Sequence, residues 1–293
     1  MTIILGGTGH VGSALAQILL RSGEPVTIVS RTLKNADAWK QKGAVVKVAD
    51  VYNTKALHQV FLTGQRLFLL NPPAAPSTDT VAEEHKTLQS ILHALQDTSI
   101  KKVVAESTYG AQPGVGHGDL NVLYDMEQAL QKTGTSTSII RAAYYMSNWD
   151  VYLPMVQKGG KLPTLFPADY KIPMVSPADI GKVAARLIKE PVEYSGLQYV
   201  EGPETYSPAD VANAFAKALQ KPVEVVSTPR SQWKAALKAT GFSDAAAESY
   251  SAMTGVVLDQ SFEKPEVPVR GATTIDQYIA GMVKRTEEKD KTN

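Results

Sequence analysis

A chain of 293 residues is long enough to bury the core of one large α/β domain and to carry a smaller lobe beside it. Lysine and arginine total 30 against 29 aspartates and glutamates, and the formal net charge of +1 removes any bulk electrostatic case for nucleic acid or a membrane surface. With no cysteine, disulfides, thiolate catalysis and cysteine-ligated metals are excluded. The first residues lack the basic and long apolar regions of a signal peptide, and no run reaches the roughly 20 apolar residues of a membrane span. The expectation is a cytoplasmic protein.

Thr2-Ile3-Ile4-Leu5 is an apolar run that feeds into glycines at positions 6, 9 and 12. Val11, Ala14, Leu15, Ile18 and Leu19 then repeat at helical spacing, so the chain opens as strand, glycine turn and helix. Residues 25–30 read as a second strand, with a short helix expected from Asn35 to Lys42. Residues 44–49 read as a third strand that Asp50 ends. Leu57, Val60 and Phe61 mark a helix, residues 66–70 a fourth strand stopping at Asn71-Pro72-Pro73, and residues 78–96 a long helix. A fifth strand over 101–105 ends in Glu106-Ser107-Thr108-Tyr109-Gly110. The glycine-rich stretch 110–118 leads to a helix through Leu130, and 137–141 gives a sixth strand.

From Ala142 onward the pattern loosens, and Pro154 to Pro173 reads as a loop-like excursion. Ser176-Pro177-Ala178-Asp179 and Ser207-Pro208-Ala209-Asp210 each announce a helix, with Ser as N-cap, Pro at the first helical position and Asp at the third. Strands are expected at 196–200 and 223–226, and Glu287 to Asn293 reads as a frayed end. Six alternations of strand and helix with apolar strands predict an α/β fold: a Rossmann-type doubly wound parallel sheet with a smaller C-terminal α+β substrate lobe. The nucleotide-binding domain is expected over 1–150, its sheet completed by 174–200, and the lobe over 151–173 and 201–293.

Ligands of such sheets bind at the carboxyl ends of the strands. Gly6, Thr8, Gly9, His10, Val11 and Gly12 there form a turn whose amides can meet a pyrophosphate at the positive end of a helix, although a glycine turn can also be purely structural. After the second strand, where a carboxylate would hold the ribose of NAD, the chain has Arg31 and Lys34; a guanidinium fits a 2′-phosphate, so NADP(H) is the expected cofactor. Arg31 can alternatively be a solvated surface residue. Asp50 reads equally as an adenine neighbour or a turn residue. Asn71 and Pro72 fall where the cofactor's middle would run, and Ser107 lies on the same rim.

The segments Gly6 to Gly12, Arg31, Ser107 to Gly110, Glu127 with Leu130 and Gly134, Ile140-Arg141 followed by Tyr145-Met146-Ser147-Asn148, Asp179-Ile180-Gly181 and Glu201 to Glu204 together resemble the NmrA-like branch of the atypical short-chain dehydrogenase/reductase superfamily. The resemblance implies NADP(H) binding, with NADPH-dependent quinone and azo-dye reductases and nucleotide-sensing regulators among its members. It places the stretch Tyr144 to Asn148 near the nicotinamide and substrate. Asp179 is explained by its capping position and is left outside the site.

None of the 12 tyrosines has a lysine four residues later, so the dyad by which standard members of the superfamily relay a proton is missing. Hydride transfer to an electron-poor aromatic such as a quinone or azo compound remains open, with Tyr109, Tyr144 and Tyr145 as the candidate catalytic residues. Tyr109, His117, Tyr145 and Asn148 are the candidate substrate pocket, His117 on a loop able to act as a lid. No histidines pair as metal ligands, and no metal is expected. The expected partner is a small aromatic acceptor, without nucleic acid or membrane; a homo-oligomer is permitted by the sequence. The competing reading is a redox sensor that binds NADP(H) and acts through a protein partner.

Overall fold

The computed structural model describes residues 1–34 and 36–290, without the side chains of 289 and 290. In chain order its first half contains β1 (Thr2–Leu5), α1 (His10–Arg21), β2 (Val26–Ser30), α2 (Ala36–Gln41), β3 (Val45–Val48), α3 (Thr54–Phe61), β4 (Arg66–Leu70), α4 (Thr80–Leu95), β5 (Lys102–Thr108), α5 (Asp119–Lys132) and β6 (Ser136–Ala142). There follow β7 (Tyr144–Tyr145), a 3-10 turn (Met146–Tyr152), α6 (Leu153–Gly159), β8 (Lys161–Thr164), β9 (Ile172–Val175), α7 (Pro177–Lys189), β10 (Gly196–Glu201) and β11 (Thr205–Tyr206). The chain ends with α8 (Pro208–Leu219), β12 (Glu224–Ser227), α9 (Trp233–Ala239), α10 (Asp244–Leu258), β13 (Val269–Arg270) and α11 (Ile275–Asp290). Asn35, expected to open the second helix, lies outside the described residues, as do 291–293 of the expected frayed end; α11 continues to Asp290.

Eight strands form one sheet in the order β13-β10-β6-β5-β4-β1-β2-β3, and every neighbouring pair is parallel. The chain starts in the middle, winds out to β3, and returns to the other side of β1 at β4. This makes the β1–β4 boundary the switch point where a crevice opens. Alternation along the strands sends Ile4, Phe68, Val104 and Ile140 to the face covered by α1 and α7. Ile3, Leu67, Val103 and Ile139 go to the face covered by α3, α4 and α5. Both faces are buried, which is why the strands read as continuous apolar runs. On the first face Gly181 of α7 meets α1, where an added Cβ would stand 2.8 Å from that of Ala14.

A third core gathers Trp149, Phe166, Met174, Phe215 and Ile279 outside the main sheet. The span from Pro154 to Pro173, expected as a loop, is instead largely ordered: α6 and β8 occupy it and β9 begins at Ile172. Pro154 stands in the first turn of α6, where its missing N–H is not needed, and Gly160 closes that helix with φ +62°. The prolines there sit in the first turn of α6, within the short strands β8 and β9, and in the link between them. β8 pairs with β12, and β9 with β7 and β11. Val269 and Arg270, from the stretch expected in the smaller lobe, add the edge strand β13 to the main sheet.

Candidate cofactor and substrate site

Gly6 leaves β1 with φ +74°, and Gly9 N donates to Gly6 O at 2.9 Å, which closes the turn. Gly9 caps α1 without any side-chain cap bond, and no acidic residue lies in the first turn, so the amides and positive end of a 12-residue helix face the crevice. A Cβ on Gly12 would sit 2.3 Å from Gly6 O. Thr8 and His10 are exposed at this turn, whereas Val11 is core. Burial raises the Asp150 carboxyl, and the hydrogen bond from Tyr278, with the nearby His10 and Arg285, opposes that shift.

Arg31 and Lys34 are exposed beyond β2, and among the described residues neither enters an ion pair. Asp50 turns its carboxylate onto the amide of Tyr52 at 3.0 Å, an Asx turn that accounts for this residue type at the end of β3. The Tyr52 hydroxyl in turn donates to Glu83 on α4 at 2.9 Å, and that bond, burial and nearby carboxylates raise the tyrosine above its usual range against the pull of Arg31. Asn71 is buried: its Nδ2 donates to Glu84 O at 3.0 Å and its Oδ1 accepts from Thr87 at 2.9 Å. Its side chain thus anchors the loop to α4, and Pro72 follows half-buried.

Ser107 is also turned inward. Its hydroxyl donates to Glu127 of α5, which takes two bonds from Arg141 of β6, Nε at 2.9 Å and Nη2 at 2.7 Å. Arg141 reaches on to the Tyr199 hydroxyl at 2.8 Å. Several residues that carry the resemblance therefore form one buried ionic network under the site.

At the ends of β4 and β5 a cavity of about 410 Å³ opens between the sheet rim and α10. Tyr109, Tyr144, Tyr145 and Asn148 all line it; His117 is not among its lining residues. His117 instead packs against Gly114, with its backbone amide on the side chain of Asn121 at 3.0 Å. The Tyr109 hydroxyl donates to Glu201 at 2.8 Å, which is paired with Arg270 at 2.8 Å, and burial first and that bond second raise it far above the usual tyrosine range. Burial is the main cause of the upward shift of Tyr144, to which its neighbours Tyr250 and Tyr152 add and which Asn148 opposes. Tyr145 donates to Glu106, at the same level of the sheet.

Glu106 is the site residue that sequence reasoning missed. Its rim position at the end of the fifth strand was the available signal; its burial was not readable. It is 4 % exposed, and burial pushes its carboxyl up to about 7 against the opposing bond from Tyr145. Glu84 is likewise pushed up to about 7 by burial and by Asp119. Both carboxyls line the cavity, and among its described lining residues there is no lysine, arginine or histidine. Tyr250, Met253 and Val257 come from α10, with no local sequence signal tying them to the rim.

The chain matches the NmrA-like family over residues 1–285. It is a member of that family. It is 21% identical to the NAD(P)H azoreductase of Xenophilus azovorans over 286 residues, 95% of this chain and 96% of that protein. Among solved structures, the triphenylmethane reductase of Citrobacter sp. is similar in fold, with TM-score 0.78 and 16% identity over 97% of this chain and 99% of that one. The NADPH-dependent quinone oxidoreductase QOR2 of Escherichia coli, solved with NADPH, has TM-score 0.76 and 20% identity over 98% of this chain and 100% of that one. The doubly wound fold expected from the alternation of strands and helices is that of this NmrA-like family. Among the described residues no helix is long and apolar enough to cross a membrane.

Proposed function

We propose that this NmrA-like protein is an NADPH-dependent reductase that passes hydride to a small aromatic acceptor, such as a quinone or an azo compound. The observation that carries the reading is the placement of an unspent anion-binding turn, an exposed arginine and an aromatic cavity on one rim of the sheet. The residues fit the cofactor: first-turn amides of α1 for the pyrophosphate, with Gly12 letting the turn pack tightly under them, and Arg31 with Lys34 for the 2′-phosphate. When bound, NADPH supplies the hydride. The division into a nucleotide-binding part, 1–150, and a substrate lobe built from 151–173 and 201–293 belongs to the same reading.

Asn71, Asp50 and Ser107 act in this site through backbone and loop shape, since their side chains hold the protein's own groups. The cavity rings of Tyr109, Tyr144 and Tyr145 suit a flat conjugated acceptor. An aromatic-lined cavity of this size beside the rim favours turnover over the sensor reading, which needs none. Mixing the protein with NADPH and a panel of quinones and azo compounds is expected to give acceptor-dependent loss of NADPH absorbance. Tight NADPH binding with no acceptor reduced would overturn the reading.

Cofactor choice is tested separately. Arg31→Ala is expected to weaken NADPH binding by about tenfold or more, the scale of a charge-assisted phosphate contact, and to leave NADH binding within about twofold. Calorimetric titration with both cofactors measures this. Equal losses would show that Arg31 does not meet the 2′-phosphate.

A further inference from the structure

We propose that Tyr145 and Glu106 form a proton relay to the acceptor, standing in for the tyrosine–lysine dyad that the chain lacks. The proposal rests on the reductase reading above and specifies how its product is protonated. Tyr145 is half-buried on β7, lines the cavity, and donates its hydroxyl to Oε1 of Glu106. Glu106 sits on β5 between Leu70 of β4 and Ile140 of β6, both apolar, and its second oxygen, Oε2, has no hydrogen-bond partner. The other ionisable groups around the cavity are Glu84, Asp119 and the tyrosines Tyr109, Tyr144 and Tyr250, none of them cationic.

A carboxylate held this way is costly, because neither a cation nor a second donor compensates its lost hydration. That cost is why the carboxyl is pushed up to about 7, so acid and carboxylate forms coexist near neutral pH. The protonation state decides which way Tyr145 points. Ionised Glu106 can only accept, and it holds the Tyr145 hydroxyl as hydrogen-bond donor. Protonated Glu106 can itself donate to the tyrosine oxygen, which frees the Tyr145 O–H to donate toward the cavity. Tyr109 and Tyr144 have no such reservoir: one hydroxyl is held by Glu201 and the other lies among Asn148 and Tyr250.

The step balances. A quinone that has gained a hydride is a hydroquinone monoanion. Its oxygen forms an O–H bond as that of Tyr145 breaks, the tyrosine O–H re-forms as that of Glu106 breaks, and solvent returns a proton to the carboxylate after product leaves. Tyr145 is the catalytic residue, and Glu106 positions and recharges it.

The test compares two acceptors across about pH 5.5 to 8.5. A quinone needs hydride and proton, whereas a triarylmethyl cation is neutralised by hydride alone. Wild-type kcat with the quinone is expected to fall as pH rises through about 7, because the folded protein then loses the Glu106 proton. Glu106→Gln and Tyr145→Phe should lower that kcat by about a hundredfold and flatten the profile, the scale of general acid catalysis, and should lower reduction of the cation by far less, since that acceptor needs no proton. In cofactor-free protein carrying Glu84→Gln, the infrared band of a carboxylic acid titrating near pH 7 should vanish with Glu106→Gln. Its midpoint should rise with Tyr145→Phe, which removes the bond that favours the ionised form. Unchanged quinone profiles, equal loss with both acceptors, or a band indifferent to both substitutions would overturn the relay. If the wild-type protein reduces neither acceptor, the reductase reading fails and the relay with it; altered variants alone leave that reading standing.

Discussion

Replacing Glu127 with alanine is expected to cost about 3–5 kcal/mol of folding stability, the scale found when one partner of a buried ion pair is removed. The side chains of Glu127 and Arg141 are 4% and 9% exposed and meet at 2.7 Å. Without Glu127 the mostly buried guanidinium would keep its charge with only the more distant, exposed Glu263 at 3.7 Å as an acidic partner, and the hydroxyl of Ser107 would lose its acceptor. Denaturant unfolding of the variant reads the loss directly. Pairing Glu127→Met with Arg141→Met should recover most of it, since that combination leaves no buried charge unpaired. A loss below about 1 kcal/mol for Glu127→Ala would mean that the ion pair is dispensable.

Gly12→Ala is expected to weaken NADPH binding by about a hundredfold or more. The new Cβ would lie 2.3 Å from Gly6 O, 2.8 Å from Gly6 C and 2.9 Å from Gly7 Cα. All three are backbone atoms, so no side chain can swing aside, and relief comes only by opening the turn that brings the first amides of α1 to the crevice. Overpacking of this kind costs about 1–3 kcal/mol, and the displaced amides lose their phosphate contacts in addition. Calorimetric titration of NADPH, alongside a melt of the cofactor-free protein, separates the two effects. Wild-type affinity in the variant would show that the turn does not cradle the pyrophosphate.

The first half of the fold was legible because its signals are local. Apolar runs of strand length, helical spacing between them and glycine at 6, 9 and 12 each act within a few residues, and the sheet followed from their alternation. Ser176 and Ser207 were readable for the same reason: both hydroxyls accept the amide three residues on, the second within a full capping box. The reading failed between Pro154 and Pro173, where prolines in the first turn of a helix and within two short strands resembled a loop. It also left α9, α10 and α11 and the edge strand β13 unassigned.

At the site the division is sharper. The sequence by itself determined the parallel sheet, the glycine turn after the first strand and Arg31 beyond the second strand, because chain direction and a strand-to-helix turn are local consequences of residue type. Only the tertiary structure decided what the polar residues of the rim do. Asn71, Ser107 and Tyr109 looked free to meet ligand, yet each gives its side chain to a partner distant in the chain: Thr87, Glu127 and Glu201. Glu106 looked like the end of a strand and became a buried acid because β4, β6 and β7 close around it. Burial and hydrogen-bond partners set the chemistry of an ionisable group, and both belong to the packed chain, not to the neighbours in sequence.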